Sequence, residues 1–138
     1  MQIPAIHVNS EIGRLKKVML HRPGQELENL MPEYLERLLF DDIPYLRIAQ
    51  EEHNSFADIL RQNGVEVVYL SDLVAESIIN QDVKEQLIQE LIDDASITTS
   101  RERDILTDYF RALDNKTMIA KMMAGIRKTE IQQAEGKS

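Results

Sequence analysis

The chain is 138 residues long, a length typical of one domain or of one module with an appendage. Its 43% hydrophobic and 29% charged residues are typical of a soluble globular protein. The formal net charge is −8 and only 5% of the residues are aromatic, which argues against binding to nucleic-acid phosphates. The absence of cysteine excludes disulfides, thiolate metal sites and cysteine nucleophiles within these residues.

The apolar runs and the opening residues bear on the compartment of the protein. No apolar run approaches the ~20 residues that span a bilayer, so we expect no membrane partner. The opening MQIPAIHVNSEIGRLKK lacks the basic-then-apolar order of a signal peptide. These features predict a cytoplasmic protein that binds neither membrane nor nucleic acid.

The first half of the sequence predicts an α/β unit. Short apolar runs at 5–8 and 15–20 predict two strands, with a turn at Glu11-Ile12-Gly13 between them. Arg22-Pro23-Gly24 ends the second strand, because proline cannot donate to a strand ladder. Pro32 suits the first turn of a short helix that follows.

A longer helix and another strand complete this half. Asp42 is a suitable N-cap for the helix, and Pro44 suits its first turn. Gly64 supplies a left-handed residue that ends it, and the β-branched run 65–70 predicts a buried strand directly afterwards. Helical spacing predicts one buried stripe on the helix, formed by Tyr45, Ile48, Ala49, Phe56, Ile59 and Leu60.

From Ser71 onward the sequence predicts helices. Thr99 and Glu102 have the spacing of a capping box, so a helix is expected to begin there. Three groups of apolar residues at helical spacing predict three amphipathic stripes: Val83, Leu87, Ile88, Leu91 and Ile92; Ile105, Leu106, Tyr109, Phe110 and Leu113; and Met118, Ile119, Met122, Met123 and Ile126. Residues 132–138 have no apolar periodicity and are expected to fray.

The residues that could carry chemistry form no recognisable active-site motif. His7, His21 and His53 lack the spacing of a metal clamp. We expect His53 to be packed, whereas the sequence leaves open whether the other two face a cleft or solvent. Asp41-Asp42 could act as an acid/base pair, although helix capping explains at least one of them. Nucleotide-binding, zinc-protease and serine-hydrolase motifs are absent from the sequence.

Five segments of the sequence carry a resemblance to a known family. They are residues 6–24, LLFDD at 38–42, EEH at 51–53 followed by Phe56, NGVEVVYL at 63–70 and MMAGI at 122–126. In order and spacing these segments resemble the bacterial arginine deiminases, which belong to the guanidine-modifying or pentein superfamily. The resemblance is collinear from Ile6 to Ile126.

This resemblance implies a fold and an activity. Arginine deiminases hydrolyse L-arginine to L-citrulline and ammonia on a five-bladed α/β propeller with a helical insertion after the first blade. Residues 1–70 would then form the first, ββαβ-type blade, residues 71–128 the helical insertion and residues 129–138 a frayed tail. The fold class expected for this chain is therefore α/β and helix-rich overall.

The resemblance also limits the chemistry expected of this chain. The family uses a cysteine nucleophile, an acid/base histidine and guanidinium-binding carboxylates, all of which lie in its later blades. None of the three histidines, nor Asp41 or Asp42, matches those positions, so we expect no catalytic residue, no metal ligand and no cofactor. One residue transfers as substrate-binding: Leu39 resembles the residue whose backbone carbonyl faces the α-amino group of arginine. Plain core packing is the alternative interpretation of Leu39.

Functions from different classes stay open at this point. The first is an N-terminal fragment of an arginine deiminase, inactive alone, with L-arginine as the substrate of the full-length enzyme. The second is a stand-alone, non-catalytic binding or regulatory module built from the same blade and insertion. A third is an unrelated helical interaction domain whose match is chance. If later blades are missing, we expect self-association through the apolar surfaces left exposed.

Overall fold

Two short strands and five helices form the part of the chain that the computed structural model describes, residues 6–30, 44–95, 97–127 and 130. The expected class, helix-rich α/β, is confirmed. No helix among these residues is both long and apolar enough to cross a membrane. In chain order the elements are β1 (Lys17–Leu20), α1 (Leu46–Gln62), β2 (Glu66–Tyr69), α2 (Leu70–Ser77), α3 (Gln81–Asp94), α4 (Ser100–Ala112) and α5 (Asn115–Ala124).

Strands β1 and β2 pair in parallel, and the connection between them contains α1. Leu20 lies opposite Tyr69 in the register of the pair. Parallel strands need such a crossover, because a tight turn joins only strands that run in opposite directions. Gly64 follows the end of α1 with a φ of 77°, and its N–H donates to the carbonyl of Arg61 at 2.9 Å. The predicted left-handed glycine and the strand after it are therefore confirmed. The strand spans only Glu66–Tyr69, however, and it is exposed to half-buried instead of buried as predicted.

The strand predicted at 5–8 does not form in its described part. Ile6 and Val8 belong to no strand, and each is 84% exposed. The predicted turn after them is present, because the Ser10 hydroxyl accepts hydrogen bonds from the N–H groups of Ile12 and Gly13. An apolar run this short is not stable as a strand until another strand pairs with it, and the sequence alone does not reveal that partner.

Helix α1 begins later than predicted and buries a different face. Its N-cap is Tyr45, not Asp42, and Pro44 precedes the helix instead of forming its first turn. Ala57 is the fully buried residue of the helix. Four members of the predicted buried stripe are instead exposed: Tyr45 by 66%, Ile48 by 39%, Phe56 by 52% and Ile59 by 58%. Helix α1 thus carries two apolar faces, and its helical period could not show which one the small sheet covers. The helix predicted from Pro32 lies outside the described residues.

The main hydrophobic core lies among the helices of the second half. Ile88, Ile92 and Met118 are its largest fully buried side chains. The three predicted stripes are confirmed for most of their members, which are buried or packed against this core. Val83 and Ile105 are half-buried and do not belong to the core cluster. The predicted N-cap of α4 is also confirmed: Thr99 Oγ1 accepts the Glu102 N–H at 3.3 Å and donates to the Glu102 carboxylate at 2.6 Å.

A buried lysine fixes α3 to the end of α4. Lys84 Nζ donates to the carbonyl oxygens of Arg111 at 3.1 Å and Leu113 at 2.5 Å, where the last carbonyls of a helix lack partners within it. The neighbouring Glu85 carboxylate accepts hydrogen bonds from Arg111 Nε and Nη2 at 2.6 and 2.8 Å. Those hydrogen bonds lower the pKa of Glu85 to about 2.

Truncation of a core residue should cost much more stability than truncation of a half-exposed one. Ile88→Ala should lower the free energy of unfolding by about 2–5 kcal/mol, since it opens a cavity in a fully buried site. Phe56→Ala should cost less than about 1 kcal/mol, because the ring is half exposed in this chain. Urea unfolding of the purified variants measures both values. Equal losses would contradict the location of the core among the second-half helices.

Candidate functional site

The carboxyl ends of β1 and β2 meet at one edge of the sheet, the position where α/β proteins commonly bind ligands. Because Leu20 is opposite Tyr69, the loop that follows β1 lies beside the end of β2. This loop, α1 and β2 contribute polar side chains that we call the sheet-edge cluster: His21, Arg22, Glu26, Gln50, His53, Asn54 and Tyr69.

A histidine–carboxylate pair lies in the loop. His21 Nε2 is 2.7 Å from Glu26 Oε1, and the same oxygen accepts the backbone N–H of Gly24 at 2.8 Å. Partial burial by itself would raise the pKa of the Glu26 carboxyl. The hydrogen bonds from His21 and the backbone outweigh this effect and hold that pKa below its ordinary value of 4.5. Glu26 is therefore a carboxylate at neutral pH.

Two side-chain contacts dock this loop on α1. Gln50 Nε2 donates to the carbonyl of Pro23 at 2.8 Å, and Arg22 Nε donates to Asn54 Oδ1 at 3.0 Å. Proline has no N–H to offer, so its carbonyl is the only backbone group it can contribute. Strand β1 ends at Leu20, so the predicted end of the strand before Arg22-Pro23-Gly24 is confirmed. The segment after the strand also contacts a helix more than 20 residues away in sequence.

His53 occupies the interior side of the cluster. Its Nε2 is 3.3 Å from the hydroxyl of Tyr69, and the two ring centroids are 5.7 Å apart. Burial lowers the pKa of His53 below its ordinary 6.5, and the nearby charges of Arg22, His21 and Arg61 lower it further. His53 is thus neutral at pH 7, and the expectation of a packed histidine is confirmed.

The chemistry open to this cluster is narrow. Without cysteine in the chain it has no thiolate to offer. Among the residues that the structure describes, no three His, Asp or Glu side chains are grouped to hold a metal ion. The cluster can bind a proton at His53, and its arginine favours an anion. Glu26 already accepts two hydrogen bonds, so this carboxylate is engaged inside the fold.

A second concave feature lies among the helices. A cavity of about 290 Å³ between α3, α4 and α5 is lined mainly by apolar side chains, including Leu91, Phe110 and Ile126. Its charged lining residue, Lys121, is paired with Glu130 at 2.5 Å. That hydrogen bond from Lys121 lowers the pKa of Glu130. The cavity therefore offers apolar volume and a compensated charge but no acid–base pair.

The residues singled out from the sequence have different outcomes. His21 and His53 lie in the sheet-edge cluster, whereas His7 is exposed. Leu39, Asp41 and Asp42 lie outside the described residues. Sequence reasoning missed Glu26, Gln50, Asn54 and Tyr69. The sequence could have indicated this cluster only through the rule that the residues after parallel strands meet at one edge of the sheet.

The chain is similar to known proteins of one family. The family model described as arginine deiminase matches residues 36–138. The arginine deiminase of Clostridium perfringens is 57% identical over 130 residues, which cover 93% of this chain and 32% of that protein. The arginine deiminases of Streptococcus agalactiae and Borrelia duttonii are 56% and 55% identical, and the matches cover 94% and 92% of this chain. The interpretation as an unrelated helical domain is therefore wrong. The chain spans about a third of the length of these curated relatives.

The lowered pKa of His53 predicts that stability depends on pH. As pH falls through the ordinary value of 6.5, the unfolded chain binds a proton at His53 before the folded chain does. The contribution of neutral His53 is therefore complete above that pH and is lost as pH falls toward the folded pKa. We expect the urea midpoint to decrease between about pH 7.5 and 5.5, and to decrease less in His53→Gln.

His7→Gln is the matched control, because His7 is exposed, and it should keep the wild-type pH dependence. The pKa of Glu26 lies below 4.5 and so outside the range measured. Identical slopes for wild type and His53→Gln would show that His53 is not the responsible group.

Proposed function

The chain belongs to the arginine deiminase family, and on that premise we propose that it is the N-terminal part of an enzyme that hydrolyses L-arginine to L-citrulline and ammonia. The observation that carries the proposal is the identity of 57% along 93% of this chain with an arginine deiminase three times its length. The order of the family segments, from Ile6 to Ile126, agrees with that placement.

Within that enzyme we assign residues 1–70 to the first blade of a five-bladed propeller, residues 71–128 to a helical insertion and residues 129–138 to a tail. The parallel β1–α1–β2 unit supports the assignment of a blade. The four helices that follow without an intervening strand, among the described residues, support the assignment of an insertion.

The catalytic chemistry is assigned to the part of the enzyme outside this chain. A guanidinium is a poor electrophile, so its hydrolysis by the family route requires a thiolate and converging carboxylates. The chain contains no cysteine and is therefore proposed to be inactive alone. Its proposed contact with substrate is the backbone carbonyl of Leu39, which can accept a hydrogen bond from the α-ammonium group of arginine.

The proposed partners and compartment follow from charge and exposure. L-arginine is the proposed substrate of the whole enzyme, which needs no cofactor and acts in the cytoplasm without nucleic-acid or membrane partners. A net charge of −8 supports the exclusion of nucleic acid. In isolation the chain should self-associate, since large apolar side chains such as Ile6, Ile12 and Ile79 are at least 79% exposed.

We expect the chain alone to produce no citrulline from arginine. One carbonyl hydrogen bond contributes about 0.5–1.5 kcal/mol, whereas millimolar binding needs about 4 kcal/mol, so calorimetry should detect no arginine binding either. Fusing the chain to the remaining two thirds of the Clostridium perfringens relative should restore citrulline formation, while that remainder alone should stay inactive.

Two results would contradict the proposal. Citrulline formed by the chain alone, and retained after repurification, would show a nucleophile that the sequence does not offer. A fusion that folds but forms no citrulline would instead favour the stand-alone binding or regulatory module.

A further inference from the structure

Helix α1 carries an exposed apolar face beside the one that packs on the sheet. Consecutive helix positions are about 100° apart, so Phe56 points away from its buried neighbour Ala57. The exposed face, which we call the α1 stripe, consists of Tyr45, Ile48, Glu52, Phe56 and Ile59. Its four apolar members are between 39% and 66% exposed. Such a cluster of exposed apolar side chains is typical of a surface that binds another surface and unusual on a helix face that contacts only water.

Glu52 lies at the centre of the α1 stripe. Ile48 and Phe56 are four residues from it on either side, and Tyr45 and Ile59 are seven residues away. The nearby arginines of α1 pair with other carboxylates, Arg47 with Glu51 at 3.0 Å and Arg61 with Asp58 at 2.9 Å. Among the described residues Glu52 forms no ion pair, so any surface that covers the α1 stripe must also compensate this charge.

The central carboxylate disfavours a second copy of the chain as that surface. In a two-fold contact centred on the α1 stripe, whether parallel or antiparallel, Glu52 would face the Glu52 of the other copy. Like charges opposed in a desolvated contact are strongly unfavourable. A different surface that presents apolar side chains around a lysine or arginine would satisfy every member of the α1 stripe.

We infer that the α1 stripe docks on the remainder of the arginine deiminase polypeptide, through an apolar patch with a basic residue opposite Glu52. This inference rests on the proposed function. Two observations select this occupant: about two thirds of the length of the relatives lies outside this chain, and the stripe requires a partner whose charge differs from its own. Self-association of the isolated chain then uses other exposed apolar residues, such as Ile6 and Ile12.

The fusion with the Clostridium perfringens remainder tests this inference. Glu52→Lys should increase the rate of thermolysin cleavage of the folded fusion about tenfold, because an attractive contact becomes repulsive, and Glu52→Gln should have a smaller effect. High salt should reduce the Glu52→Lys effect, since screening weakens the repulsion. Glu76→Lys, which makes the same change at an exposed residue of α2, is the control and should leave cleavage unchanged.

The isolated chain supplies the second half of the test. Glu52 is exposed in the isolated chain, so Glu52→Lys should leave the urea midpoint of that chain unchanged. If Glu52→Lys lowered the stability of the isolated chain as much as that of the fusion, the inference would be overturned. Loss of self-association of the isolated chain in Phe56→Ala, measured by sedimentation, would assign the stripe to a second copy and also overturn the inference. A fusion that forms citrulline, with Glu52→Lys indistinguishable from Glu76→Lys, would overturn this inference alone, whereas a folded fusion without citrulline would overturn the proposed function.

Discussion

The burial of Ile88, Ile92 and Met118 among α3, α4 and α5 is the interaction on which the rest of the described structure depends. A two-stranded sheet is marginal by itself, because so few strands bury little apolar surface. Here β2 continues into α2 without a loop, and α2 contributes Ala75 to the helical core. The sheet is further joined to that core through its loop, since Asn29 Nδ2 donates to the carbonyl of Ala124 at 2.7 Å and its Oδ1 accepts from Arg127 Nε at 2.9 Å. The sheet is therefore connected to the helical core both through α2 and through the loop after β1.

The small sheet has a direct consequence for α1. Two parallel strands of four residues each can cover one face of a 17-residue helix, and Ala57 is the fully buried residue of that helix. The second apolar face has no strand or helix against it among the described residues. Apolar residues at a solvent-exposed helix surface add little to the stability of this chain. They become stabilising when another surface covers them.

The parts of this fold that could be predicted from the sequence are those that local rules determine. The stripes of α3 to α5 follow from helical spacing, and the ends of α1 and α4 follow from Gly64 and Thr99, whose conformations depend on neighbours within a few residues. The failures concern partners distant in the chain. Helical periodicity showed that Phe56 belongs to an apolar face but not whether that face is covered by these 138 residues. Likewise, the contacts of Arg22 with Asn54 and of Gln50 with Pro23 depend on the parallel register of β1 and β2, which no local pattern specifies.

The sheet-edge cluster differs physically from a catalytic acid–base site, although it contains a histidine and a carboxylate in contact. A general base needs a lone pair directed at its substrate and a pKa near the working pH. Glu26 has the opposite properties, because Oε1 accepts from both His21 and the Gly24 N–H, and these bonds hold its pKa below 4.5. His53 is held neutral by burial and by neighbouring cations, and its Nε2 already lies against the Tyr69 hydroxyl. The hydrogen bonds of the cluster thus fix the loop after β1 against α1.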